Sequence, residues 1–330
     1  NGNAIASDIC GNVSWTNDYS ALNLAGCGET GTTLVTFTAT DDCGNASTTS
    51  ATLAIQDNTD PVITLSPSDL TVECDGSGNT ADINTWLASQ GGATATDECS
   101  TITWTNDYST LSDDCGATGS ATVTFTATDD CGNSSTTSAT FTIEDTTNPT
   151  ITVAAQDTVI NCSTADQAAA ILSWLNNNGG AEASDVCGNV SWSHDYTDNL
   201  SDDCGATGTV DVTFTATDDC GNSSTSTATL TIEDNTNPTI DVQASDETVE
   251  CDGAGNTAAL NAWLAAQGGA SASDACSDVT WTNDFTALSD DCGATGNATV
   301  TFTATDDCGN SSTTSATFTI EDTTDPTITT

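Results

Sequence analysis

Two kinds of side chain in this sequence could take part in chemistry, namely carboxylates and cysteines. The chain of 330 residues contains 48 Asp and Glu, 15 Cys, one His and no Lys or Arg, which gives a formal net charge of −48. The segment Asp-Asp-Cys-Gly-Asn places both kinds together and recurs with its cysteine at Cys43, Cys131, Cys220 and Cys308. Carboxylates that lack a basic partner repel one another unless a cation lies between them. Cysteines at fixed spacing form disulfides or bind metal.

The acids do not form the arrangement that catalysis needs. A glycosidase requires one local pair of carboxyl groups, whereas these acids recur at loop positions in every copy of the repeated segment. They lie beside Asn and Ser, and such hard oxygen ligands with high negative charge suit Ca²⁺. We therefore expect a protein that is not an enzyme, whose acids either bind calcium or form a solvated surface.

The cysteines are predicted to form structural disulfides rather than a zinc site or a redox centre. No Cys-x-x-Cys pair occurs, and the single histidine, His194, has no cluster around it. Zinc sites need close pairs of thiolate or imidazole ligands. Chains with this density of cysteine belong to oxidising compartments, so we expect an extracellular protein.

Internal repetition organises the chain. The Asp-Asp-Cys-Gly-Asn segments are 88, 89 and 88 residues apart, and an Asp/Asn-Pro-x-Ile motif recurs with them. We predict a partial repeat at 1–59, full repeats at 60–147, 148–236 and 237–324, and the start of another at 325–330; the first four are called repeats 1 to 4. This pattern indicates a window on a longer array. A strand donated by another chain could complete repeat 1, but the tail at 325–330 is too short to supply the missing cysteine and helix.

Repeat 2 shows the elements that must position these residues. Residues 122–128 alternate Thr with Val, Phe and Ala, and residues 138–143 alternate Ser or Thr with Ala, Phe and Ile. This period of two predicts half-buried strands, and the polar turn between them predicts a hairpin. Residues 83–92 place Ile, Trp and Leu at helical spacing before a Gly-Gly pair, which predicts a short helix docked on the strands. The fold class is therefore predicted as all-β, with tandem immunoglobulin-like β-sandwiches that each contain one short inserted helix and two disulfides.

At this level of detail the sequence resembles a known family. The run VTFTATDDCGNSSTTSATFTI, from Val123 to Ile143, together with the Asp/Asn-Pro-x-Ile motif, resembles the hyalin-repeat (HYR) type of immunoglobulin-like domain. The version with four cysteines and a helix is similar to repeats of very large Bacteroidetes surface adhesins, including gliding adhesins exported by the type IX system. The resemblance covers essentially the whole chain. It implies a cell-surface protein in cell adhesion or gliding motility.

The topology of such a sandwich predicts that disulfides form within each repeat. The first strand should end near Cys74 at the end where the penultimate strand begins, after Cys115, while the loops with Cys99 and Cys131 share the opposite end. We therefore expect the pairs Cys74–Cys115, Cys99–Cys131, Cys162–Cys204, Cys187–Cys220, Cys251–Cys292, Cys276–Cys308 and, in repeat 1, Cys10–Cys43. Cys27 is then left without a partner.

The same reasoning predicts calcium at the junctions between repeats. The end of one repeat and its linker would supply acids to the loops of the next, and Ca²⁺ accepts about six to eight oxygen ligands in irregular geometry. The expected ligands are Asp57, Asp60, Asp97, Asp129, Asp130, Asp145, Asn148, Asp185, Asp218, Asp219, Asp234, Asn237, Asp274, Asp306 and Asp307. Bound metal would stiffen linkers that proline already restricts.

These expectations combine into an extended, calcium-stabilised stalk or filament that advances by about 35–45 Å per repeat. The alternative is a glycan- or protein-binding adhesive module that uses the loops at one end of each sandwich. Expected partners are neighbouring repeats of the same long chain, with identical chains in a filament as an extension. Without basic residues the chain is not expected to bind nucleic acid or anionic lipid, and without an apolar run of 18 residues it is not expected to insert into a membrane.

Overall fold

The computed structural model describes residues 2–201 and 203–329. It divides the chain into two compact units. Unit 1 consists of the chain up to Thr147 together with two loop tips, Asp185–Asn189 and Asp218–Asn222, and unit 2 consists of the rest. Both loop tips come from repeat 3, so unit 1 contains the loops that repeat 3 contributes to the end of repeat 2.

The first half of the chain forms nine strands and one helix. Their bounds are β1 Val13–Asn17, β2 Gly31–Asp41, β3 Ala46–Ile55, β4 Val62–Leu65, β5 Leu70–Glu73, α1 Thr80–Ala88, β6 Thr94–Thr96, β7 Ile102–Asn106, β8 Gly119–Asp129 and β9 Ser134–Glu144. A 3₁₀ turn at Gln90–Gly92 follows α1.

The remaining elements repeat twice the order from β4 to β9, including the helix. Their bounds are β10 Thr150–Val153, β11 Thr158–Asn161, α2 Gln167–Asn176, β12 Glu182–Ser184, β13 Val190–His194, β14 Gly208–Asp218, β15 Ser223–Glu233, β16 Thr239–Val242, β17 Glu247–Glu250, α3 Thr257–Ala265, β18 Ser271–Ser273, β19 Val279–Asn283, β20 Gly296–Asp306 and β21 Ser311–Glu321. Turns of 3₁₀ type at Asn178–Gly180 and Gln267–Gly269 follow α2 and α3. In the described part of the chain, no helix combines the length and apolar character that a membrane span needs.

Each full repeat builds two sheets with the same topology. In repeat 2 the four-stranded sheet has the order β5-β9-β8-β7, and β4 pairs with β6 in a second sheet. The β5–β9 pair is parallel, whereas β7–β8, β8–β9 and β4–β6 are antiparallel. Repeats 3 and 4 form β11-β15-β14-β13 with β10-β12, and β17-β21-β20-β19 with β16-β18. The predicted all-β class of tandem sandwiches is confirmed.

The predicted helix covers the core of the larger sheet. Val123 and Phe125 of β8 are fully buried, as the alternation of residues 122–128 requires. Trp86 of α1 packs edge-on against Phe125, with ring centroids 5.3 Å apart, and lies 5.7 Å from the ring of Phe141. Burying a large apolar side chain of this kind contributes about 1.5–3 kcal/mol, so a helix of nine residues is stabilised mainly by its docking.

Repeat 1 contains the hairpin but, among residues 2–59, no helix. Its three strands form one sheet in the order β1-β2-β3. Leu53 and Ile55 of β3 are 46% and 47% exposed, whereas their counterparts Phe141 and Ile143 in repeat 2 are 0% and 2% exposed. The sheet of repeat 1 therefore presents an open apolar face.

Candidate metal sites and the bridges between repeats

The disulfides join successive repeats, and the prediction of pairs within repeats is wrong. The five bonds are Cys27–Cys131, Cys74–Cys187, Cys115–Cys220, Cys162–Cys276 and Cys204–Cys308. Each spans 104 to 114 residues and joins one repeat to the next. None of the expected pairs forms, namely Cys74–Cys115, Cys99–Cys131, Cys162–Cys204, Cys187–Cys220, Cys251–Cys292, Cys276–Cys308 or Cys10–Cys43. Cys27, which was expected to be unpaired, is bridged.

The prediction found the right ends of the sandwich but chose the wrong partners. Cys74 donates its backbone N–H to Glu144 at the end of β9, at 2.8 Å, and Cys115 precedes the strand that pairs with that end. The two cysteines thus lie at one end of the sheet, as expected. The linker to the next repeat is short, so the loop tips of that repeat reach this end, and each cysteine bonds to a loop cysteine with Cα atoms 5.1 to 6.1 Å apart.

In three of the five bridges the cysteine of the earlier repeat, here called the receiving cysteine, starts a tight turn, and the cysteine of the following repeat, here called the arriving cysteine, lies at a loop tip. The Thr118 hydroxyl donates to the Cys115 carbonyl at 2.6 Å, and its N–H donates to the same oxygen at 3.0 Å. Ala117 donates its N–H across the joint to the Cys187 carbonyl at 2.7 Å. Gly116 has φ +55°, and a Cβ there would lie 2.1 Å from that carbonyl oxygen. Only glycine tolerates both the backbone conformation and the approach of the loop.

The other two bridged turns repeat this geometry. A Cβ on Gly28 would lie 2.3 Å from the Cys99 carbonyl oxygen, and a Cβ on Gly205 would lie 2.5 Å from that of Cys276. The same carbonyls accept hydrogen bonds at 2.9 Å from the residues that follow these glycines. Each joint is therefore closed by a backbone hydrogen bond beside its disulfides.

The loop tip of the following repeat is held in shape by the first aspartate of the Asp-Asp-Cys-Gly-Asn segment. In repeat 2 the Asp129 carboxylate accepts N–H groups of Cys131 and Asn133 at 2.8 and 2.9 Å and the Asn133 amide at 2.7 Å. Burial of Asp129 raises its pKa, but the hydrogen bonds from Asn133 and from the backbone of Cys131 and Gly132 outweigh this and hold the pKa below its usual value. The same amide reaches the Asp57 carbonyl at 3.4 Å and so holds the linker.

Three groups of acids converge at the joints. The carboxylates of Asp57, Asp97 and Asp129 each offer an oxygen within 4.8 Å of the others, and Asp234, Asp274 and Asp306 form the matching group. At the joint between repeats 2 and 3, oxygens of Asp145 and Asp185 lie within the same distance of each other and of the Cys187 sulfur. Cys187 is in a disulfide, so its sulfur is not a thiolate ligand.

Each group contains a buried oxygen that lacks a hydrogen-bond partner. These atoms are Oδ2 of Asp57, Asp145 and Asp234, considering the described residues. Burial raises the pKa of Asp145, the Thr147 backbone N–H opposes this, and the charges of Asp185 and Asp218 raise the pKa further. An unpaired buried carboxylate oxygen is costly. A cation at this point would satisfy it, and the oxygen-rich, irregular donor set fits Ca²⁺.

Several predicted ligands lie outside these groups. The second acid of the loop motif holds the two loop tips of its own repeat together: Asp130 accepts the Thr101 hydroxyl at 2.8 Å, and Asp219 accepts the Asn189 N–H at 2.8 Å. Asp60, Asp218 and Asp307 also lie outside the groups. Asn148 and Asn237, which follow the converging acids Asp145 and Asp234 by three residues, stay predicted ligands.

Sequence reasoning missed two residues that build each joint. One is the glycine after the receiving cysteine, and the other is the asparagine that ends the loop motif, such as Asn222, whose amide donates to the Asp145 carbonyl at 3.0 Å. Both recur at fixed positions beside a cysteine. That recurrence is the signal that could have identified them.

No protein-family model matches this chain, and no curated protein matches it in sequence. Among solved structures, the protocadherin γB4 extracellular domain is similar with a TM-score of 0.30 and 13% identity, over 93% of this chain and 59% of that one. Drosophila N-cadherin EC1-4 has a TM-score of 0.28 and 9% identity, over 96% and 94% of the two chains. Mouse cadherin-23 EC22-24 has a TM-score of 0.27 and 11% identity, over 80% and 100%. Similarity at this level identifies neither a ligand nor a partner.

Proposed function

We propose that this chain is an extracellular structural segment that forms a rigid, calcium-stabilised stalk or filament of a large bacterial surface adhesin. The observation that carries the proposal is the recurrence of one joint between successive repeats. Each joint combines a disulfide, a hydrogen bond to a loop carbonyl and converging acids. A repeated covalent joint transmits tension from repeat to repeat. The HYR resemblance supports a place on the cell surface, and disulfides of this number suit an oxidising compartment.

The acids give the joint its dependence on a cation. Asp57 belongs to the linker, whereas Asp97 and Asp129 belong to the two loops, so one ion between them would tie three segments together. Calcium would supply positive charge to a site that has no Lys or Arg. The protein's own residues hold the linker carboxylate beside the loop carboxylates, and the hydrogen bonds to Asp129 lower its pKa.

The joint also weighs against the alternative, an adhesive module that uses the loops at one end. In a joined repeat those loops are covered, since the Cys187 carbonyl accepts a hydrogen bond from repeat 2 and Cys187 is bridged to Cys74. A ligand could reach these loops only where no repeat precedes them. The stalk function is therefore favoured.

The calcium role is tested by melting the intact chain in calcium and in a chelator. We expect calcium to raise the melting temperature and calorimetry to detect about three ions per chain, one for each group of acids. An unchanged melting temperature and no heat of binding would remove calcium from the proposal.

Substitution of the three acids whose buried oxygen lacks a hydrogen-bond partner distinguishes a calcium site from an unoccupied acidic cluster. The two cases predict opposite changes in the melting temperature. If calcium binds, Asp57→Asn, Asp145→Asn and Asp234→Asn together should remove most of the calcium-dependent shift. If no ion binds, the same variant relieves repulsion and raises the melting temperature whether or not calcium is present. Asp130→Asn with Asp219→Asn is the matched control, because those acids bond within the loops.

A further inference from the structure

Two of the joints bring four bridged cysteines together, and these cysteines have a competing way to pair. At the joint between repeats 2 and 3, repeat 2 contributes Cys74 and Cys115, and repeat 3 contributes Cys187 and Cys220. The structure pairs them across the joint, as Cys74–Cys187 and Cys115–Cys220. The competing pairs lie within each repeat, as Cys74–Cys115 and Cys187–Cys220. A feature of the joint must therefore decide between the two.

Contacts inside each repeat hold the competing partners close to each other. The Cys74 sulfur lies 3.8 Å from the carbonyl oxygen of Ala117, two residues after Cys115. In repeat 3, Asp219 accepts the Asn189 N–H at 2.8 Å, and this contact joins the two loop tips that carry the cysteines of that repeat. Pairing within a repeat therefore needs no docking, whereas pairing across the joint does.

Docking brings carboxylates together as well as cysteines. An oxygen of Asp145, in the linker, lies within 4.8 Å of an oxygen of Asp185, in a loop tip of repeat 3. The Asp145 Oδ2 atom is buried without a hydrogen-bond partner, and the chain contains no Lys or Arg to offset its charge. Carboxylates this close repel each other unless a cation lies between them. Without a cation, their charges oppose docking and favour the pairs within repeats.

The bridge and the acids occupy the same site. At the joint between repeats 2 and 3, oxygens of both acids lie within 4.8 Å of the Cys187 sulfur. At the joint between repeats 3 and 4, an oxygen of Asp234 lies within 4.8 Å of both sulfurs of the Cys162–Cys276 bridge. Acids that are held together at a joint therefore also hold the sulfurs of the bridge within bonding distance.

Each loop acid is tied to the cysteine of its own loop. The Asp185 carboxylate accepts the Cys187 N–H at 2.7 Å, and the Asp274 carboxylate accepts the Cys276 N–H at 2.8 Å. The position of the loop acid therefore fixes the position of the cysteine two residues later.

The linker acid is tied to the other cysteine of the bridge. Cys74 donates its N–H to the Glu144 carbonyl at 2.8 Å, and Asp145 is the next residue. Cys162 donates its N–H to the Glu233 carbonyl at 2.9 Å, and the next residue is again an aspartate. Linker and loop acids that converge therefore place both cysteines of the bridge side by side.

We propose that the acids of a joint, when they bind calcium, select disulfides across the joint over disulfides within a repeat, and that the closed bridges in turn raise the calcium affinity of these acids. This inference rests on the calcium site of the function proposed above and adds a role for that site in assembly. Coupling between two equilibria is reciprocal, so the two effects have comparable size, and about 5- to 150-fold is typical. The cation supplies positive charge, and the acids place the sulfurs.

The covalent step is thiol–disulfide exchange with a disulfide oxidant such as oxidised glutathione. One cysteine thiolate attacks the oxidant, forms a mixed disulfide and releases one glutathione thiolate. The thiolate of the second cysteine then attacks the protein sulfur of the mixed disulfide and releases the other glutathione. Two protein thiols lose two electrons and two protons, and one oxidised glutathione becomes two reduced molecules. A bond within a repeat is converted by the same attack from a third cysteine, with no net oxidation.

The test is to equilibrate the disulfides in a mixture of reduced and oxidised glutathione, with calcium or with a chelator, and to map the pairs. The protein is the full chain with its unpaired cysteines replaced, as Cys10→Ser, Cys43→Ser, Cys99→Ser, Cys251→Ser and Cys292→Ser. Acid stops the exchange, and mass spectrometry of peptic peptides measures each pair. We expect the ratio of Cys74–Cys187 to Cys74–Cys115 to fall by about tenfold or more in the chelator. An equal ratio with and without calcium would overturn the proposal.

Sodium chloride at matched ionic strength is the control for screening. Salt screens exposed charges but acts weakly on partly buried carboxylates that lie a few ångströms apart, so we expect that it does not replace calcium. A salt effect as large as the calcium effect would show that no specific cation site is involved and would overturn the proposal.

Variants of single acids make each joint the control for the other. Asp145→Asn should remove most of the calcium dependence of the Cys74–Cys187 pair and leave that of the next joint unchanged. Asp234→Asn should have the reverse effect. Equal changes at both joints, or a change at neither, would contradict a selection made by the acids of each joint.

Calorimetry separates this proposal from the calcium-stabilised stalk. We expect calcium to bind the oxidised chain more tightly than the reduced chain, by a factor comparable with the change in pairing. Binding of equal affinity to both forms, together with unchanged pairing, would reject the coupling and keep the calcium site. No binding to the oxidised chain would reject the calcium site and this proposal with it.

Discussion

The hairpin β2–β3 of repeat 1 and the hairpin β8–β9 of repeat 2 pair in the same register, with Gly31 opposite Ile55 and Gly119 opposite Ile143. They differ in what covers them. Phe125 in repeat 2 is fully buried under α1, whereas its counterpart Phe37 in repeat 1 is half-buried beside an open face. The comparison shows that alternating Thr and apolar residues suffice to form the strands, whereas the sheet is buried where the helix and the strands β4 to β6 accompany it.

The two repeats also differ in their joints to the next repeat. Cys27–Cys131 is the single bridge from repeat 1 to repeat 2, whereas Cys74–Cys187 and Cys115–Cys220 both join repeat 2 to repeat 3. The missing bridge would involve Cys99, which is unpaired. Within the described residues, repeat 1 is thus tied to the following repeat by one bridge and repeat 2 by two.

The largest expected effect is the loss of the covalent link between repeats 1 and 2 when the Cys27–Cys131 disulfide is reduced after backbone cleavage. Asp60–Pro61 is an acid-labile bond between repeats 1 and 2, and mild acid should cleave it. We expect residues 1–60 to stay attached to the rest through Cys27–Cys131 until a reductant is added, which non-reducing and reducing gels would show. On the chain-entropy model a bridge across 104 residues contributes about 4–5 kcal/mol to the free energy of unfolding.

Cys27→Ser provides the control for this cleavage and should release residues 1–60 without reductant. Release from the unmodified chain without reductant would contradict the bridge between repeats. It would instead support the pair Cys10–Cys43 within repeat 1.

The next effect compares one substitution in two repeats. Phe125→Ala should cost about 3–5 kcal/mol in the stability of repeat 2, because it leaves a cavity between the sheet and α1. Phe37→Ala should cost about 1 kcal/mol, because that side chain is already partly exposed. Native-state hydrogen exchange of β8 and β2 by mass spectrometry measures each repeat separately. Equal costs would show that repeat 1 is covered in solution.

The smallest effect concerns pH. Hydrogen bonds from the Thr146 backbone and the Thr147 and Thr146 hydroxyls lower the pKa of Glu73. A carboxylate whose folded pKa is depressed adds stability above its unfolded pKa, and that stability is lost as pH falls through the folded pKa. We therefore expect the protection of the linker amides of repeat 2, which is the intrinsic exchange rate divided by the observed rate at the same pH, to fall on acidification below the usual range of a glutamate.

Glu73→Gln is the test of this assignment and should flatten the pH dependence of amide protection in that linker. Repeat 1 contains no counterpart of Glu73, so the linker before Asp60 is the internal control for this residue. An identical acid response in Glu73→Gln would assign the effect to other acids.

The sequence predicts what local pattern determines and fails where a partner lies in another repeat. Strands and helix follow from spacings of two and of three to four residues, and these are confirmed by β8, β9 and α1. The disulfide pairs were wrong because each cysteine has candidates in its own repeat and in the next, and local pattern does not choose between them. The odd cysteine, Cys27, and the glycine after it are the signals that could have indicated a partner outside the repeat.

The predicted calcium ligands were likewise right in part. Asp57, Asp97 and Asp129 were predicted to converge, and they lie together. Asp130 was predicted to join them, but adjacent residues in a tight turn point in different directions, and its carboxylate bonds to Thr101 instead. Calcium at the converging acids stays a prediction.

Because each repeat forms its disulfides with the following repeat, these bonds cannot form in the order in which the cysteines are synthesised. Cys74 must remain reduced until Cys187 has been synthesised, 113 residues later. Cys99, Cys115 and Cys131 emerge in between, so a chain oxidised in order of appearance acquires wrong bonds first. Correct bonds then require exchange, which takes seconds to hours and depends on an isomerase or on loops that dock before they oxidise. A cell that makes this protein must therefore delay oxidation or correct it, and each repeat is finished only when its successor has folded.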